Sequence, residues 1–171
     1  MERTMNLVPG SYVTVNIGGF VGNQIKFFTH SDVDHVFMVL TDYGTILEAQ
    51  PDKELGHTGA HINNIREYKG LQMYQSKDHI DATPDKLLSV ARGFVGIPYS
   101  FLDIVALGII ITTHIHPWPL DPIVTRTNHM ICSQLVAHFG EQFGMTSWLC
   151  GQTCDQYVTP GMLNNRGTVA L

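Results

Sequence analysis

Two apolar, β-branched runs flanking four turn-forming residues constrain this chain more than any other feature. Asp34–Leu40 and Thr45–Ala49 are separated by Thr41-Asp42-Tyr43-Gly44, which is good turn chemistry between strands. The pattern predicts a β-hairpin. A turn of two or four residues pairs Thr41 with Gly44 and Leu40 with Thr45. Continuing that ladder sets Phe37 opposite Glu48 and His35 opposite Gln50. His35, Phe37, Glu48 and Gln50 then share one face. Glu48 is diagonal to His35, within roughly 7–8 Å at Cβ, a span that a Glu carboxylate can cross. A three-residue turn would put His35 and Glu48 on opposite faces. From the pattern alone the pair reads equally as a base with its orienting carboxylate or as a polar couple on a solvated sheet face.

The rest of the chain supplies what such a hairpin needs to pack against. With 171 residues, 44% of them hydrophobic and 15% charged, it has the makings of one domain with a real core, spanning 1–171. Ser11–Ile17 alternates with period two and predicts a strand between Pro9-Gly10 and Gly18-Gly19. Phe20–Phe28 fits a short helix, and Leu71–Gln75 a further strand. Pro51–Asn64 reads as a polar connection. Thr83-Pro84 is a helix start, with Thr at the N-cap and Pro in the first turn. Leu87, Leu88, Ala91, Phe94 and Val95 form its apolar face, and Gly96 ends it. Tyr99–Ile111 continues as a buried helix, and the Pro-rich stretch His114–Pro122 as a loop. Asn128 is placed to cap a helix carrying Ile131, Leu135, Val136, Phe139 and Phe143, closed by Gly144. The tail from Thr146 reads as irregular, with one strand around Tyr157. Strands with segregated helices imply an α+β fold.

Charge narrows the function classes. Ten Lys and Arg against fifteen Asp and Glu give a net charge of -5. That balance argues against nucleic acid as partner and against a polybasic membrane patch. Three cysteines are too few for a disulfide scaffold and suit a reducing compartment. The N-terminus lacks the apolar run of a signal peptide, and the longest apolar stretch is too short to span a bilayer. A cytoplasmic protein is the expectation.

Cys132 is the strongest chemical candidate. It falls near the start of a predicted helix, where the positive end of the dipole favours a thiolate. The competing reading is a small buried residue on the apolar face. A thiolate nucleophile needs a base, and the base an orienting partner. The hairpin offers His35 with Glu48, and Gln50 in reserve. His129 is a rival base one turn before Cys132. His57 with His61, and His114 with His116, lack the Cys or carboxylate that would complete a metal-ligand spacing, so no metal is expected. Cys150 and Cys154 are spaced for neither zinc nor a redox pair, and read as structural. Gly18-Gly19-Phe20-Val21-Gly22 lacks the first glycine of a dinucleotide fingerprint and is not read as a nucleotide site.

Taken in order, these pieces resemble the circularly permuted branch of the NlpC-type papain-like superfamily. That branch includes the YiiX-like proteins and, more distantly, the lecithin:retinol acyltransferase-like enzymes. The resemblance rests on Pro9-Gly10 before a strand, Asp34-His35-Val36-Phe37-Met38-Val39-Leu40, and Ile46-Leu47-Glu48-Ala49. It continues through Gly96-Ile97-Pro98-Tyr99 and Ile131-Cys132-Ser133-Gln134-Leu135-Val136, with a weaker match at Val158-Thr159-Pro160-Gly161-Met162-Leu163. The order of His before Cys is the permuted one. Two positions depart from the pattern: Ser11 where an Asp is usual, and Gln134 where an acidic residue commonly follows Cys-Ser.

The resemblance implies an α+β papain-like fold, an antiparallel sheet packed against helices that include the nucleophile helix. It implies Cys132 as nucleophile, His35 as general base, Glu48 as orienting residue, and Tyr157 as a substrate-pocket residue. The implied activity is a cysteine hydrolase cleaving an amide bond, peptidoglycan-type peptides among them, through a thioester and with no cofactor. A small peptide or acyl group is the expected substrate. The apolar stretch Phe101–Ile111 keeps a lipid-directed acyltransferase or esterase, with membrane contact, as the alternative. A non-catalytic binding module on the same scaffold is a third reading. Oligomeric state is not legible.

Overall fold

Largely apolar runs buried on both faces build the centre of the sheet, and helical periodicity builds the layer on it. The computed structural model describes residues 6–29, 31–52, 57–100, 130–150 and 158–171. Strand β1 (Tyr12–Val15) is followed by helix α1 (Gly19–Thr29) and the hairpin β2 (His35–Val39) and β3 (Thr45–Asp52). Then come β4 (His57–Asn64), a 3₁₀ turn (Ile65–Tyr68), β5 (Met73–Ser76) and α2 (Pro84–Arg92). Helix α3 (Cys132–Glu141), a second 3₁₀ turn (Thr146–Leu149), α4 (Pro160–Asn164) and β6 (Thr168–Ala170) complete the described elements. The six strands form one sheet in the order β4-β3-β2-β1-β5-β6, with every pairing antiparallel. The fold is α+β.

The hairpin has the predicted register. Met38 pairs with Leu47 and Val39 with Ile46. The turn is closed by Gly44 N–H to the Thr41 carbonyl at 3.2 Å, and Thr41 Oγ1 accepts from Thr45 N–H at 2.9 Å. Gly44 sits at φ +96, and a Cβ there would lie 2.7 Å from Ile65 Cγ2. Glycine is therefore required twice over, by backbone conformation and by space.

The two sheet faces bury different sets of side chains. Val36, Met38, Leu40, Leu47 and Ala49 pack with Leu87 and Ala91 of α2 and with Leu135, Val136 and Phe139 of α3. Burying a residue of this kind stabilises by roughly 1.5–3 kcal/mol. Val13, Val15, Phe37, Val39 and Ile46 pack with Ile65, Tyr68 and Met73. Trp148 closes the helical side: a Cβ at Gly140 would lie 2.5 Å from its ring, and it meets Tyr12 edge-on at 5.1 Å.

Several sequence expectations are corrected. Residues 57–64 form strand β4 rather than a polar connection, paired with β3 from Asp52↔His57 to Thr45↔Asn64. The outer edge of β4 is itself covered: Ala60 N–H donates to the Ile97 carbonyl at 2.8 Å, and Gly96 N–H donates to the Ala60 carbonyl at 2.9 Å. Gly59 has φ +145, and a Cβ there would lie 2.2 Å from the Ile97 oxygen. Helix α2 ends at Arg92, so Val95 falls in the following turn and is exposed rather than on the apolar face. The tail is not irregular, since it contains α4 and the edge strand β6. The cap of the helix carrying Leu135 and Val136 is Ile131 rather than Asn128, since Met130 is still extended in a bridge to Tyr99. The expected strand around Tyr157, the helix Tyr99–Ile111 and the Pro-rich loop fall wholly or almost wholly outside the described residues.

Candidate active site

Helix α3 begins at Cys132, with Ile131 as its N-cap in extended conformation. Isoleucine has no side-chain acceptor, so the helix start is held in other ways. Gln134 Oε1 accepts from Ile131 N–H at 2.9 Å, the return half of a capping box. The amide thus does what a carboxylate would do at this position, without adding charge. Ser133 Oγ donates to the Val158 carbonyl at 2.7 Å and ties the first turn to the lead-in of α4. Upstream, Met130 bridges Tyr99 in parallel, with Met130 N–H on the Pro98 carbonyl at 3.0 Å. The Gly96–Tyr99 segment therefore links the edge of β4 to the residues that enter α3.

His35 is the first residue of β2, and Cys132 is near enough to act on its ring and raise its pKa. On its other side, Nε2 is 3.0 Å from Glu48 Oε2. Cys132, His35 and Glu48 are thus brought into one buried cluster, supplied by a helix start, a strand start and a strand middle. Cys132 is 1% exposed, His35 5% and Glu48 0%. The solvated sheet face allowed by the sequence pattern is ruled out by that burial.

Glu48 is the most heavily bonded side chain at the site. Its Oε2 also accepts from Gln50 Nε2 at 2.8 Å and from the Tyr68 hydroxyl. Its Oε1 accepts from Asn63 Nδ2 at 2.6 Å and faces His61 Nε2 at 3.3 Å. Burial opposes the carboxylate, but the bonds from His35, His61 and Tyr68 outweigh it and hold the carboxyl well below the usual range. Burial likewise opposes the His35 cation, but the hydrogen bonds to Cys132 and Glu48 prevail and carry its pKa up to about 10. Gln50, the reserve orienter, bonds Glu48 and Tyr68 instead. Burial and the nearby Glu48 charge push the Tyr68 hydroxyl far above its ordinary range, so it stays a donor. Its ring stacks on His35 at 5.9 Å and on Phe37 at 4.9 Å, fixing the imidazole plane.

Asp34 anchors the start of β2. Its Oδ1 accepts from Ile17 N–H at 2.7 Å and its Oδ2 from Gly18 N–H at 2.8 Å. A Cβ at Gly22 would lie 2.2 Å from Asp34 Oδ2. The glycine cluster that superficially suggests a nucleotide loop therefore receives the protein's own carboxylate. Ser11, the other departure, donates from Oγ to the Val8 carbonyl at 2.7 Å and is a buried turn residue.

Sequence reasoning brought together Cys132, His35 and Glu48 but missed His61, Asn63, Tyr68 and Asp34. Reading 57–64 as a strand would have found His61, which stands directly opposite Glu48. Tyr157, His129, His114, His116 and Cys154 lie outside the described residues. Cys150 is a partly buried free thiol, and burial pushes its pKa up. Among the described residues no three His, Cys, Asp or Glu side chains are grouped to hold a metal ion. Among them, too, no helix is long and apolar enough to cross a membrane.

The antiparallel sheet with the Cys132 helix packed on it defines an α+β fold consistent with the papain-like class. No family model matches the sequence, and no curated protein matches it. Among solved structures, the chain is similar to the metalloprotein YiiX (DUF1105) from Escherichia coli O157:H7. The TM-score is 0.61 at 14% identity, over 98% of this chain and 97% of that one. The fold is thus YiiX-like.

Proposed function

We propose that this protein is a cysteine hydrolase that cleaves an amide bond through Cys132, His35 and Glu48. The observation that carries this reading is the buried chain from Cys132 through His35 to Glu48. A thiol at a helix start, an imidazole within its reach and a carboxylate behind that imidazole is the arrangement nucleophilic acyl transfer needs.

The steps follow from the geometry. His35 uses Nε2 on Glu48, which leaves Nδ1 for the thiol. The Cys132 sulfur, with its proton held on His35, attacks the substrate carbonyl carbon. First-turn N–H groups of α3, that of Cys132 among them, have no intrahelical acceptor and are suited to receive the oxyanion. His35 gives its proton to the leaving nitrogen as the C–N bond breaks, and a thioester remains. His35 then takes a proton from water, which attacks the thioester and releases the acid with the thiol restored.

A small peptide amide is the first choice of substrate. The lipid acyl alternative differs in what resolves the thioester. YiiX is described as a metalloprotein. In this chain both Glu48 oxygens are taken by protein donors, so the buried carboxylate has little left to offer a metal. The cluster fits the hydrolase assignment better than a metal site.

The test is a screen of peptide amides and thiol- or oxygen-esters with intact-mass detection of the acyl-enzyme. An adduct mapping to Cys132, absent in Cys132→Ala, supports the reading. Turnover unchanged in a folded Cys132→Ala protein overturns it.

A further inference from the structure

We propose that His61 is a resident imidazolium that permanently neutralises Glu48, so that His35 is free to gain and lose its proton without stranding a buried carboxylate. The argument begins with acceptors. His61 Nδ1 lies 2.9 Å from the Gly59 carbonyl, and Nε2 lies 3.3 Å from Glu48 Oε1. A backbone carbonyl and an ionised carboxylate only accept. A neutral imidazole carries one N–H and would leave one of these two contacts as lone pair against lone pair. Only the doubly protonated ring satisfies both.

The location supports the assignment. His61 stands directly across from Glu48 in the β3–β4 ladder, and its side chain is 13% exposed. Two anionic groups act on it, Glu48 from β3 and Glu67 from the 3₁₀ turn, and His35 of β2 is the titratable group on the other Glu48 oxygen. Asn63 Nδ2 bridges these two carboxylates, at 2.6 Å to Glu48 Oε1 and 2.7 Å to Glu67 Oε2. The bond to Glu48 raises the His61 pKa, with burial acting against it.

The consequence concerns charge during the cycle, and that part rests on the hydrolase reading. With sulfur as thiolate and His35 protonated, Cys132, His35, Glu48 and His61 sum to zero. When His35 passes its proton to the leaving nitrogen, the thioester is neutral, His35 is neutral, and Glu48 is still paired with His61. Without His61, that step would leave an uncompensated buried carboxylate, which is strongly unfavourable. His61 is thus a positioning residue that acts through Glu48 and does not touch the reacting atoms.

The test is ring-nitrogen NMR on the full chain labelled with ¹⁵N-histidine, titrated from about pH 5 to about pH 12, past the raised His35 transition. The expected result is a His61 ring protonated on both nitrogens at neutral pH. In His61→Gln, which keeps a donor for Glu48 but no charge, the His35 transition should move to higher pH by about one unit. A His61 ring carrying one proton at pH 7 overturns the proposal, as does an unmoved His35 transition in a folded His61→Gln protein. The wild-type spectrum decides the first point even if the variant does not fold. Neither readout requires turnover, so absence of hydrolase activity would leave this result standing and would count only against the proposed reaction.

Discussion

His35 and Glu48 touch across the hairpin on the diagonal: Nε2 lies 3.0 Å from Oε2, with the carboxylate fully buried. The contact depends on the four-residue turn Thr41–Gly44 that lies between the two partners, because a slip of one residue would send the two side chains to opposite faces. A short stretch of turn chemistry thus determines whether a site exists at all.

Removing the nucleophile should separate chemistry from folding. Cys132→Ala is expected to abolish covalent labelling and turnover while leaving the thermal transition within a few degrees. Cys132 packs with Leu135 and Val136 in the helical-side core, and Ala fills most of its volume. Intact mass and a thermal melt on the same sample read both quantities.

Glu48→Gln should damage both stability and activity. The substitution removes the negative charge and turns one of the two oxygens that His35, Gln50, Asn63, His61 and Tyr68 converge on into an NH2 donor facing other donors. Breaking a buried pair this way costs about 3–5 kcal/mol. Loss of imidazole orientation should lower kcat by roughly 10²–10⁴-fold. Urea unfolding and steady-state kinetics measure the two effects separately. A Gln variant of wild-type stability would mean that the carboxylate charge contributes nothing.

Stability should decline as the solution turns alkaline. His35 is raised from 6.5 to about 10, and a raised histidine stabilises fully below its unfolded value. That contribution is lost as pH rises from about 6.5 through about 10. His61 is shifted in the same direction and adds to the decline. Glu48 is depressed, so its contribution is present above the ordinary carboxylate range and is lost only on strong acidification. Urea midpoints between pH 5 and 10 should therefore fall towards the alkaline end. His35→Ala should flatten much of that slope, and an unchanged slope would contradict the assignment.

Gly22→Ala offers a case where two effects compete in sign. Ala in a helix interior gains about 1 kcal/mol over Gly. Here its Cβ would meet Asp34 Oδ2 at 2.2 Å, and Asp34 would have to give up its grip on Ile17 and Gly18 N–H. Losing those charge-assisted bonds costs about 1.5–3 kcal/mol each, so net destabilisation is expected. Because Asp34 precedes His35, labelling of Cys132 should slow as well. Chemical denaturation and alkylation rates check both. A stabilised variant would show that the carboxylate is readily rehoused.

The hairpin was legible because turn chemistry and β-branched runs agree locally, and that fixed the register on which His35 meets Glu48. Helix α2 was legible from Thr83-Pro84 and its apolar face. Strand β4 was hidden because its residues are polar for a tertiary reason: His61 and Asn63 serve Glu48, and Gly59 makes room for the Ile97 carbonyl. Strand propensity is mostly a record of such surroundings. Helix α4 had a readable signal that went unused, since Thr159-Pro160 repeats the Thr-Pro start of α2 and Thr159 Oγ1 accepts from Met162 N–H at 3.2 Å. The proximity of Cys132 to His35 joins residues far apart in sequence, and no local pattern could have shown it.

The crowding of donors around Glu48 has an evolutionary consequence. Its partners come from β2, β3, β4 and the 3₁₀ turn, so drift at one position changes the fitness of substitutions at the others. Groups bonded in one network do not contribute additively. Lineages carrying this fold should therefore change these positions in concert or not at all. Exchanging a single donor between two diverged homologues should cost more than exchanging the whole set.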